Sequence, residues 1–131
     1  MVRNWVLGVL LALWLPLGAL ADESAEDYVN YIELKPFIAN FSSEGTLRFV
    51  KCEITIQVSS PEAHHAVNYH LPHIRNDIVF LLSAQTEEQL ATVEAQQTLA
   101  HEALERVQTI LVAEEGEAFV TDLFFTSLVI Q

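Results

Sequence analysis

The chain has 131 residues, 51% of them apolar, with 18 acidic against 6 basic side chains and a formal net charge of −12. That length suits one ordinary domain with one compact core, and the single cysteine, Cys52, excludes an intramolecular disulfide. The charge leaves no basic surface for nucleic acid, so none is expected as a partner, and it disfavours binding to an anionic lipid surface.

Residues 1–21 have the pattern of a targeting segment. Arg3 gives a positive start, 5–17 form an uncharged apolar run, and Ala19-Leu20-Ala21 is a small-x-small cleavage pattern ahead of Asp22-Glu23. The alternative is an uncleaved inner-membrane anchor over 5–21. As a helix it would span about 25 Å against a hydrocarbon core of ~30 Å. Pro16 and Gly18 interrupt such a helix but suit a cleavage region. Both readings put the remainder outside the cytoplasmic membrane. The protein is then periplasmic, or in the inner membrane with a periplasmic domain. Residues 22–27 are acidic and apolar-poor, a flexible lead-in to one domain over 28–131.

Residues 28–34 alternate, with Tyr28, Asn30, Ile32 and Leu34 set against Val29, Tyr31 and Glu33. This predicts a strand that Lys35-Pro36 stops or bends. Residues 37–41 continue extended, and Ser42-Ser43-Glu44-Gly45 is a loop. The clearest strand is 47–58. Val50, Cys52, Ile54, Ile56 and Val58 face one way, and Phe49, Lys51, Glu53, Thr55 and Gln57 face water or a partner. Cys52 falls on the apolar face, as a small buried hydrophobe rather than a reactive thiol.

Ser59-Ser60-Pro61-Glu62 opens a helix, with Ala63, Val67, Leu71, Ile74, Ile78, Leu81 and Leu82 at helical spacing. Pro72 either kinks it or starts a second helix. Thr86-Glu87-Glu88-Gln89 is a capping box for a short helix with Leu90 and Val93 inward. Leu99, Ala103, Val107, Ile110 and Leu111 line one face of a longer helix, with Leu104 beside them, and Gly116 ends it. Residues 119–131 are apolar on both parities, which predicts a strand interior to the sheet and paired on both edges. Strands, then helices, then a final strand give an α+β fold, an antiparallel or mixed sheet with helices on one side.

Little in the chain suggests chemistry. His64, His65, His70 and His73 cluster near Asp77, and His73 and Asp77 share a helical face. Three such ligands could hold zinc or copper, but there is no His-Glu-x-x-His pattern and Pro72 breaks the geometry, so no metal or other cofactor is expected. His101 beside Glu102 and Glu105 reads as a solvated helix face, not an acid–base pair. With no phosphate loop, nucleophile elbow or Cys-x-x-Cys, no catalytic residue is assigned and no enzyme is expected.

Several stretches resemble the FliL family of flagellar basal body-associated proteins. Tyr31-Ile32-Glu33-Leu34-Lys35-Pro36-Phe37-Ile38-Ala39-Asn40 is similar to the family's aromatic…Leu-x-Pro-Phe-x-x-Asn opening, and Leu47-Arg48-Phe49-Val50-Lys51 to the strand that follows it. Pro72-His73-Ile74-Arg75-Asn76-Asp77 and Leu82-Ser83-Ala84-Gln85-Thr86 resemble the helical stretch, and 120–131, closing on Val129-Ile130-Gln131, resembles the family's end. The chain differs in the cleavable look of Ala19-Leu20-Ala21, where the family has a longer anchor, and in Gln85, where it has Lys. The resemblance implies a periplasmic, stomatin-like domain without enzymatic activity, which self-associates in rings around the flagellar stator subunit and supports motility. On physical grounds such association should be head-to-tail and should use a basic residue, Lys35, Arg48, Lys51, Arg75 or Arg106, against a neighbour's acids. The rival reading is a free periplasmic binding module, metal-responsive through its histidines and without a flagellar role.

Overall fold

The computed structural model describes residues 29–131. The expected targeting segment, the lead-in and Tyr28 lie outside the described residues. In chain order the elements are β1 (Asn30–Glu33), β2 (Phe37–Ser43), β3 (Thr46–Val58), α1 (Pro61–Tyr69), α2 (Leu71–Ser83), α3 (Glu87–Ala91), α4 (Val93–Glu115) and β4 (Val120–Ile130). The fold is α+β as expected, with every strand pairing antiparallel. No helix among the described residues is long and apolar enough to cross a membrane.

The long strand β3 is the centre of the sheet. On one edge it pairs with β1 over residues 55–58 and with β2 over residues 46–52. β1 and β2 are in effect one strand interrupted at Lys35-Pro36, where Pro36 has no N–H to give to the ladder. Leu34 still donates to the Ile54 carbonyl at 3.0 Å, but from Phe37 the register has moved by one residue. The core side therefore changes parity, from Ile32 and Leu34 to Phe37, Ala39 and Phe41, all buried. The break is held by Arg75 of α2, whose guanidinium donates to the Lys35 and Pro36 carbonyls at 2.7 and 2.8 Å and lies 4.0 Å from the Phe37 ring centroid. Glu44 and Gly45, both at positive φ, make the tight turn from β2 to β3.

The other edge of β3 takes β4, and here one expectation is corrected. Among the described residues β4 pairs only with β3, so it is an edge strand and not an interior one. Its apolar residues occupy both parities because two bulges switch which parity faces inward. Thr126 is skipped in the register between Phe125 and Ser127, and Thr121 between Val120 and Asp122. Val120, Leu123, Phe125, Leu128 and Ile130 thus all pair with core-facing residues of β3. Each bulged threonine donates its hydroxyl to a β3 carbonyl, Thr121 to Gln57 at 3.4 Å and Thr126 to Glu53 at 3.3 Å.

The helices cover one face of the sheet, α2 against β2 and α4 against β4. Ser60 caps α1, its Oγ accepting from the Ala63 N–H at 3.0 Å. A second helix does begin at Pro72, in the first turn of α2, with His70 as the joint. The capping box of Thr86 and Gln89 forms on α3 and buries Leu90. Val93, expected inward, is 66% exposed, because Thr92 caps a new helix there and resets the helical phase. Leu99, Ala103, Val107, Ile110 and Leu111 of α4 are buried, and Gly116 ends the helix at φ 83°. Cys52 is fully buried, and desolvation pushes its thiol up to about 12 despite the nearby Arg75 cation.

Candidate interaction surface

Because the helices cover only one side, the other face of the sheet is uncovered by the described residues. Alternation sends Leu47, Phe49, Lys51, Glu53, Thr55 and Gln57 of β3 to this open face. Register then fixes the rows that cross it. Lys51 lies between Ile38 of β2 and Val129 of β4, Phe49 lies opposite Asn40, and Thr55 lies between Glu33 and Phe124. Gln131 closes the Phe49 row, the two residues exchanging N–H to carbonyl bonds at 2.8 and 3.1 Å. Tyr31, Ile38, Leu47, Phe49, Phe124 and Val129 on this face are each between 41% and 62% exposed. Lys51 has Ile38, Phe49 and Val129 around it and Glu53 as the next outward residue of its own strand, so charge is set among exposed apolar side chains on this face. Contiguous exposed apolar groups of this kind mark surfaces that meet another molecule.

Two of the five cations named from the sequence are engaged inside the chain. Arg48, on the inward face of β3, pairs with Glu87 of α3, which also accepts from Ser43 Oγ at 2.6 Å. These contacts hold the Glu87 carboxyl below its ordinary range, the Ser43 hydrogen bond foremost. Arg75 is committed to the strand break. Among the described residues Lys35, Lys51 and Arg106 make no ion pair within the chain.

The histidines are dispersed. His64 Nδ1 is 2.9 Å from Asn68 Nδ2, and His70 Nε2 is 2.8 Å from Glu115 Oε1 at the end of α4. His101 and Glu105 touch at 3.0 Å, both largely exposed, as a solvated helix face. The described residues contain no group of three or more His, Cys, Asp and Glu placed to hold a metal ion. Sequence reasoning had singled out Phe49, Lys51 and Glu53 on the outward side of β3. It missed Ile38, which simple alternation from Phe37 places outward, and Val129, whose facing depends on the bulge at Thr126.

These features define a two-layer α+β domain with one sheet face left open. The family described as flagellar basal body-associated protein FliL matches over residues 31–131. The flagellar protein FliL of Aquifex aeolicus is 31% identical over 96 residues, 73% of this chain and 57% of the relative. That of Escherichia coli K12 is 25% identical over 122 residues, 90% of this chain and 78% of the relative, and the Shigella flexneri protein matches to the same extent. The chain belongs to the FliL family of flagellar basal body-associated proteins. It spans little more than half the length of its Aquifex relative.

Proposed function

We propose that this protein is a non-enzymatic accessory of the flagellar motor. In this reading its domain lies in the periplasm, self-associates head-to-tail into a ring, and engages the stator subunit to support motility. The ring arrangement and a stomatin-like kinship of the domain follow from the family resemblance. The observation that carries the assembly part is the sheet face left open by the described helices, where Ile38, Phe49 and Val129 are exposed around Lys51, which makes no ion pair among the described residues. A sheet face left bare of helices costs solvation of its apolar side chains, and association recovers that cost. The N-terminal segment either anchors the domain in the inner membrane, which raises its local concentration, or is removed on export.

The test has two arms in a flagellated host. Deleting the gene should impair swimming, and the full chain recovered from the envelope should bring stator subunits with it. Unaltered swimming together with no stator recovery would leave a free periplasmic binding module as the better account. Intact mass of the native protein decides the N-terminus, since it separates a chain beginning at Asp22 from one that keeps Arg3.

A further inference from the structure

We infer that the outer edge of β4 takes a short fifth strand from another polypeptide, whose alternate apolar side chains fill the cleft between β4 and α4. The two edges of the sheet are not alike. On the side of β1 and β2 the inward residues Ile32, Leu34, Phe37, Ala39 and Phe41 are all buried. On the other side β4 pairs only with β3 among the described residues. There Phe125, Leu128 and Ile130 pack on the core but stay only half-buried. Their partners across the ladder, Ile54, Cys52 and Val50, are sealed. The core is therefore open along β4 and closed along the opposite edge. Beside the open edge, Val93, Ala100 and Leu104 of α4 and Phe125 of β4 line a cleft of about 440 Å³.

The main chain of β4 selects the occupant. Gln131 exchanges two bonds with Phe49, so alternation along the register turns the main chain of Val129, Ser127, Phe124 and Asp122 toward β3. The N–H and C=O groups of Phe125, Leu128 and Ile130 then point away from the sheet. This stretch is stopped at one end, where the Leu123 N–H donates to Asp122 Oδ1 and the Val120 carbonyl accepts from Gln108 Nε2, both at 2.8 Å. Outward main-chain groups beside an apolar cleft call for an extended backbone, which supplies hydrogen bonds and side chains at period two; a helix or a lipid chain does not. In either strand direction the residue opposite Phe125 sends its side chain the same way as Phe125, over the cleft. A second copy is the poorer occupant. Both of its sheet edges are interrupted, one at Pro36 and the other by the bulges at Thr121 and Thr126, and each copy has a charge of −12. The chain's own stretch 22–27 is acidic, whereas Asp122 lines the cleft and no Lys or Arg does. The occupant is thus a short segment of another protein, poor in acids and apolar at alternate positions. This edge is separate from the open sheet face, so both can be occupied at once.

The test selects binders to the full chain from a display library of random decapeptides and resynthesises the leading one. It should alternate apolar residues, contain few acids and lack a central proline. Once bound, it should slow hydrogen exchange at the Phe125 and Leu128 amides by at least about tenfold and leave that of Val129, already in the ladder, unchanged. Leu104→Arg, its fold verified by thermal unfolding, should weaken binding about thirtyfold. Methylating the peptide nitrogen that faces Phe125 should weaken it about tenfold, with the protein itself unaltered. A library that yields no binder, a binder that protects other amides, or one that tolerates both changes overturns the inference. Protection of the same amides without peptide, rising with protein concentration, gives the edge to a second copy and overturns it equally.

Discussion

Replacing Arg75 by Ala should destabilise the domain by about 2–3 kcal/mol without changing its fold. The side chain donates two charge-assisted hydrogen bonds, to the carbonyls of Lys35 and Pro36, and its guanidinium carbon lies over the Phe37 ring at 4.0 Å from the centroid. Each bond is taken at roughly 1 kcal/mol, below the usual ~1.5–3 for bonds to charged groups, because solvent reaches both carbonyls and can replace the lost donor. The ring contact adds about 0.5–1 kcal/mol. For a domain of this size that corresponds to a fall in melting temperature of about 10 °C. Arg75→Lys separates the contributions. It keeps the positive charge but not the planar fork that reaches two adjacent carbonyls, so it should recover no more than about half the loss. Urea titration followed by circular dichroism measures both variants. If Arg75→Ala changes stability by less than about 0.5 kcal/mol, or if Lys restores it fully, the strand break at Pro36 does not depend on this clamp.

The two adjacent phenylalanines of β4 should respond oppositely. Phe125, packed against the core opposite Ile54, should cost about 2–3 kcal/mol on truncation to Ala, and Phe124, 41% exposed on the open face, less than about 1 kcal/mol, both by denaturant titration. The Cys52 thiol should ignore an aqueous thiol reagent until the chain unfolds, with labelling tracking the unfolding curve. Burial raises its folded pKa from 9.0 to about 12, so the contribution it makes is complete below pH 9 and is lost as pH climbs toward 12. Cys52→Ser should flatten that alkaline loss. Glu87 behaves in the opposite sense. Its carboxyl is held below the ordinary 4.5, so its contribution is present above that pH and disappears as the solution is acidified further, and Glu87→Gln should remove this part of the acid sensitivity.

The sequence revealed most where one period ran unbroken. The outward and inward sides of β3, the cap at Ser60, the box at Thr86 and the stop at Gly116 are all local signals, and each appears where the residues predict it. β4 misled because parity counts assume a regular pleat. Two bulges, marked only by ordinary threonines, placed both parities against the core and made an edge strand read as an interior one. Pro36 announced its own break, but nothing in the local pattern says that Arg75, 39 residues later, closes over it. Val93 was misplaced for a related reason, since a single cap at Thr92 restarts the helical phase. Lys51 could be placed on an outward face, whereas its ring of Ile38 and Val129 depends on which residues of three strands stand side by side, a property of register and not of any one segment.

The double hydrogen bond between Phe49 and Gln131 has a practical consequence. It fastens Gln131 into a row of the open face, next to the row of Ile38, Lys51 and Val129. Any polypeptide attached after Gln131 therefore emerges at the rim of that apolar patch. A fluorescent protein or affinity tag fused there would crowd the proposed docking face, so under that proposal a loss of function in such a fusion would report obstruction rather than loss of the protein. A short insertion at the Glu44-Gly45 turn, already at positive φ and open to solvent, marks the chain without lengthening that end.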